Sequence, residues 1–179
     1  MSPGPKRRNV APRSAIALWV VIVCVAIIVY ASLQPFMGWN PLPANAKFFL
    51  WQFAQRWTIA DAIFNVAAYV PLGFALVIAL PAHWSRRRYL VVTLLFAFAL
   101  SFAVETAQMW LPTRYASSYD TVANVAGALG GALLGLLVVA SPRLIAALTR
   151  LREVAIVAGQ SGDLQLVLLA VWLIAQVNP

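Results

Sequence analysis

Four apolar runs, each close to twenty residues long, leave this chain only one environment in which to fold. They are Ala15–Ala31, Ala62–Leu80, Tyr89–Leu111 and Thr121–Ala140. An α-helix needs about 20 predominantly apolar residues to cross the hydrocarbon core of a bilayer. Within lipid, only helices and closed barrels satisfy every backbone polar group. Composition agrees, with 63% hydrophobic and 10% charged residues, against roughly 25% charged in soluble domains. The expectation is an all-α integral membrane protein: a compact bundle of four transmembrane helices over residues 15–140. The run Leu164–Val177 is short for a span and stops at Asn178-Pro179. It reads as a short fifth hydrophobic helix, or as the start of a longer C-terminal region. Residues 1–14 form a basic tail, and the apolar core behind it is too long for a cleaved signal peptide. The first run therefore reads as an uncleaved anchor, with cleavage the alternative.

The net charge of +8 does not mark a nucleic-acid binder, because the charges lie between apolar runs. Ten of the thirteen basic residues fall in the tail, in the loop PAHWSRRR (Arg86, Arg87, Arg88) and after the fourth run (Arg143, Arg150, Arg152). Only Lys47, Arg56 and Arg114 fall on the opposite side. The positive-inside rule puts the N-terminus in the cytoplasm, with the basic segments facing anionic lipid. Residues Arg143–Val157 place Leu144, Leu148, Leu151 and Ala155 at helical spacing, the pattern of an interfacial helix. The outward segment 34–60 is rich in aromatics, which suits a headgroup-level belt or a re-entrant hairpin or, alternatively, a lid over a site. Cys24 is alone, so there is no disulfide or zinc framework. His83 reads as an ordinary interfacial residue.

The scarce polar residues of the spans are not scattered. Spans two and four both open with D-x-x-x-N, as Asp61/Asn65 and Asp120/Asn124, and i,i+4 spacing puts each pair on one helix face. Span three runs the other way and aligns Ser101, Glu105 and Gln108. A carboxylate at membrane depth costs on the order of 3 kcal/mol, so Glu105 must face protein or water. Gly127, Gly131 and Gly135 recur every fourth residue, a spacing that lets helix backbones approach closely. They share the Asp120/Asn124 face. Three spans thus bring Asp61, Asn65, Glu105, Gln108, Asp120 and Asn124 to one level near the outer surface, with Arg114 in the turn above.

Several chemistries suit that set. Carboxylates and amides could hold a divalent cation, since Mg²⁺ and Ca²⁺ prefer oxygen. Glu105 could act as a desolvated acid, with Asp120 or Asp61 as base. Arg114 could hold a phosphate through paired hydrogen bonds. No serine, cysteine or histidine arrangement suggests a nucleophile triad. The same groups could also merely staple the bundle, with Arg114 pairing to Asp120 or Glu105.

The chain resembles the VanZ-like membrane protein family in four segments. They are SLQP at Ser32–Pro35, DAIFNVAAYVPLGF at Asp61–Phe74, ETAQMWLPTRYASSYD at Glu105–Asp120 and NVAGALGG at Asn124–Gly131. The ordered set is fairly specific, whereas any single piece is weak. The resemblance implies a small helical domain in a bacterial plasma or inner membrane. The family takes its name from a protein linked to resistance to teicoplanin, a lipoglycopeptide that targets cell-wall precursors. It implies no particular reaction. Three functions follow as expectations. The chain binds an amphipathic ligand, either a lipid-linked envelope precursor or a lipidated glycopeptide antibiotic. Alternatively, it is an enzyme acting on such lipids, or a non-catalytic assembly module. Membrane lipids are its expected partners, and nucleic acid is not.

Overall fold

The computed structural model describes residues 15–42, 47–51 and 58–155. Five α-helices follow one another: α1 (Ala15–Leu33), α2 (Ile59–Ala79), α3 (Arg86–Gln108), α4 (Ser118–Ala140) and α5 (Pro142–Ala155). A single 3₁₀ turn, Phe49–Trp51, lies between α1 and α2. Among the described residues there are no strands. The helices α2, α3 and α4 are each long and apolar enough to cross a membrane, and α1 is apolar over the shorter stretch Ala17–Leu33. The tail, the segments 43–46 and 52–57, and the fifth apolar run lie outside the described residues.

Capping explains why three helices begin before their apolar runs. Thr58, Ser85 and Ser117 are N-caps, and each side chain accepts a backbone N–H of the first turn. A hydroxyl there satisfies one of the donors that a helix start leaves unpaired. The helices therefore start with Ile59, Arg86 and Ser118 rather than Ala62, Tyr89 and Thr121. Pro71 lies inside α2 without ending it. The segment expected to be an interfacial helix is helical, as α5; Val157, its expected end, falls outside the described residues.

The central packing unit is α2 against α4. Where Gly127 and Gly131 stand, a Cβ would overlap the carbonyl oxygens of Val66 and Val70; at Gly73 it would overlap that of Ala128. Gly135 meets Val77. The paired positions rise together, so the two helices run parallel with their backbones touching, as the glycine spacing predicts. Around this seam, Val21, Cys24 and Ile28 of α1 pack with Tyr69, Leu72 and Leu76 of α2, Ala97 of α3 and Ala128 of α4. The outer faces expose Ile63, Phe64, Leu95, Leu133 and Leu137, as befits helices solvated by lipid.

Part of the expected aromatic belt is core instead. Phe49 is fully buried, and its ring packs with Phe48 and with Phe102 of α3. The Asn40 backbone N–H donates to the Trp110 carbonyl at 3.0 Å. The segment after α1 thus covers the α3–α4 turn, while Phe36 and Trp39 stay exposed.

Candidate functional site

The two D-x-x-x-N copies occupy the same place in their helices, because Asp61 and Asp120 are each the third residue after the N-cap. In α2 a capping box closes. Asp61 Oδ2 accepts the Thr58 backbone N–H at 2.9 Å, and Thr58 Oγ1 accepts the Asp61 N–H at 3.2 Å. In α4 the box stays open, because the corresponding N–H, that of Ser117, donates to Glu105 Oε2 of α3 at 2.7 Å. Glu105 is buried, and its carboxylate replaces the one Asp120 would otherwise supply. Asp120 is left to other contacts.

Those contacts cross helices. Asp120 interacts with the Asn65 side chain and lies within electrostatic range of Asp61, both on α2, and of Glu105 on α3. One turn further along α4, Asn124 Nδ2 donates to Ser101 Oγ at 3.0 Å in a buried bond. Tyr69 of α2 comes close to Ser101 and Glu105 from the other side. The result is a buried polar cluster at the α2–α3–α4 junction, called the pit below.

The pit is not internally satisfied. Among the described residues, Asp120 Oδ1, Asn124 Oδ1 and Thr121 Oγ1 are buried with no hydrogen-bond partner, and the Tyr69 hydroxyl has none beyond its approach to Ser101. A buried polar atom without a partner costs about 1–3 kcal/mol, and native structures contain few of them. Here three of them, on Asp120, Asn124 and Tyr69, gather about Ser101 and Glu105. Asn124, Thr121 and Tyr69 are each at least nine-tenths buried.

Gln108 and Arg114 belong elsewhere. Gln108 Nε2 donates to the Ser32 carbonyl at 2.9 Å. Arg114 donates from Nε and Nη2 to the Gln34 carbonyl at 3.2 and 3.0 Å, and from Nη2 to the Ala31 carbonyl at 2.9 Å. These are carbonyls at the C-terminal end of α1, which a helix leaves unpaired and which a cation suits. Arg114 pairs with neither Asp120 nor Glu105.

The seven residues expected to form one site therefore divide. Asn65, Glu105, Asp120 and Asn124 meet in the pit, joined by Ser101. Asp61 stands at its rim, exposed and engaged in its own cap. Gln108 and Arg114 form a latch on α1. Sequence reasoning missed Tyr69, Ser117 and Thr121. The signal for Ser117 was legible, since SSYD repeats the S/T-x-x-D form of TIAD. Tyr69 and Thr121 carried none. Among the described residues no three His, Cys, Asp or Glu side chains gather closely enough to hold a metal ion.

A family profile described as VanZ/LLP1 matches residues 15–139, the four helices α1–α4 that build the pit and latch. Comparison with curated proteins and with solved structures finds no match. With most of its length matched, the chain belongs to the VanZ/LLP1 family.

Proposed function

We propose that this VanZ/LLP1-family membrane protein crosses a bacterial plasma or inner membrane four times, with its N-terminus in the cytoplasm. In that orientation the pit faces the outer leaflet. There it binds an amphipathic ligand of the cell envelope, either a lipid-linked precursor or a lipidated glycopeptide such as teicoplanin. One observation carries the proposal: the buried oxygens of Asp120 and Asn124 that find no partner among the described residues. A staple satisfies its own members; these groups await a partner. The orientation follows from charge, because the tail and Arg86–Arg88 both belong to the cytoplasmic side under the positive-inside rule.

Binding is favoured over catalysis by the state of Glu105. Its carboxylate is engaged by the Ser117 amide, which leaves Asp120 as the group with acid–base capacity to spare. A divalent cation would have to draw on amide and hydroxyl oxygens beside Asp120. The assembly reading keeps specific support at one place, the Gln108/Arg114 latch, although Arg114 Nη1 stays outside those bonds and could meet a phosphate.

The test uses wild-type protein and the Asp120→Ala and Asn124→Ala variants in nanodiscs of bacterial polar lipid extract. Native mass spectrometry then reads the amphiphile each retains after detergent washing. Wild type is expected to hold one that both variants lose to a greater extent than any change in melting temperature accounts for. Retention by both variants, or loss only in step with unfolding, would reject the proposal.

A further inference from the structure

We infer that the group entering the pit is a protonated amine. The inference rests on the proposal that the pit binds an amphiphile and names the chemistry that the pit selects. Among the described residues, the unpartnered atoms there are oxygens, a carboxylate at Asp120 and an amide carbonyl at Asn124, with the Tyr69 hydroxyl close by. The carboxylate of Glu105 lies within range of Asp120, and Asp61 stands beside it at the rim. Three of the chain's five acidic residues thus meet at one junction. Among the described residues, Arg114 does not answer them, being turned onto the carbonyls of Ala31 and Gln34.

A phosphate or carboxylate entering this space would meet like charge at low dielectric. A neutral hydroxyl would fill one or two acceptors and leave the charge unanswered. A primary ammonium brings three donors and no acceptor. It can donate to Asp120 Oδ1 and Asn124 Oδ1 and still reach a hydroxyl, while its charge offsets the carboxylates. Two sources share that chemistry: the headgroup of an aminolipid and a free amine or amino sugar.

The experiment measures binding to the full chain in zwitterionic detergent. The probes are short-chain phosphatidylethanolamine, the same lipid N-acetylated, and short-chain phosphatidylglycerol, with free ethanolamine as competitor. Loss of one charge-assisted hydrogen bond corresponds to about tenfold or more in affinity. Phosphatidylethanolamine is therefore expected to bind at least about tenfold more tightly than its N-acetyl form or phosphatidylglycerol. Asp120→Asn should erase that difference. Competition by ethanolamine would assign the site to soluble amines and its absence to the lipid headgroup; either supports an ammonium. Equal binding of all three lipids would overturn the amine and leave an amphiphile site standing. Binding of none would overturn both. The headgroup comparison on wild-type protein decides the matter even if the variant fails to fold.

Discussion

The Ser117 backbone N–H donates to Glu105 Oε2 at 2.7 Å, whereas the equivalent N–H of Thr58 donates to Asp61 within its own helix. Two helix starts of the same sequence form are thus capped by different means. The difference makes Asp120 a spare cap. In Glu105→Ala, Asp120 is expected to swing back and close its own box as Asp61 does, limiting the loss to about 1 kcal/mol. With Asp120→Ala added, no carboxylate remains, and the double variant should be about 1 kcal/mol less stable than the sum of the two single effects, whatever the sign of each. Thermal unfolding of the four proteins in detergent measures the coupling. Simple additivity would show that Asp120 cannot reach Ser117.

The helices and the glycine seam were legible because both are periodic, one through runs of bilayer length and the other through spacing of four. The convergence of Glu105, Asp120 and Asn124 was legible for the same reason. What could not be read were partners on the backbone. Glu105 bonds an amide twelve residues on, and Arg114 bonds a carbonyl eighty residues back; every residue carries such groups, so none stands out. Asp61 could be read in two ways. Its D-x-x-x-N spacing drew attention to Asn65, while the T-x-x-D that fixes its carboxylate lay across the start of the run.

Gly131 and Gly130 are neighbours with opposite expected behaviour. A methyl at Gly131 would overlap the Val70 carbonyl, whereas one at Gly130 meets nothing within 4 Å. Gly131→Ala should force α2 and α4 apart and cost about 1–3 kcal/mol. Gly130→Ala should be neutral or stabilise by up to about 1 kcal/mol through helix propensity. Melting temperatures in one detergent check both, and a matched pair of effects would contradict the backbone-to-backbone contact.

The latch on α1 predicts a geometric requirement at Arg114. Its guanidinium reaches two carbonyls from two nitrogens, which the single ammonium of lysine cannot reproduce. Arg114→Lys should recover less than half of the stability lost in Arg114→Ala, a loss of about 1.5–3 kcal/mol. Gln108→Leu should weaken the same junction. If Arg114→Lys melts like wild type, charge alone holds α1.

Topology is testable by labelling. In a Cys24→Ser background, Thr113→Cys should react with a membrane-impermeant maleimide in intact spheroplasts. His83→Cys, beside Arg86–Arg88, should react only after permeabilisation. The reverse pattern would turn the pit toward the cytoplasm and remove any role in meeting ligands from outside.

The sharpest separation of site from staple comes from Asp120→Asn. The substitution keeps the shape of the side chain and a partner for Asn65, but removes a charge held at a buried junction. If Asp120 served stability, the neutral amide would lower the melting temperature, since half of a satisfied charged pair would be gone. Asp120 is instead an acceptor with an unpartnered oxygen among like charges, so its presence costs the fold stability. Asp120→Asn is therefore expected to raise stability by up to about 1 kcal/mol while weakening amphiphile binding at least about tenfold, as functional groups commonly do when neutralised. Differential scanning fluorimetry alongside lipid titration reads both quantities on one sample. A fall in both together would make Asp120 a structural residue and leave the pit without its principal ligand-binding group.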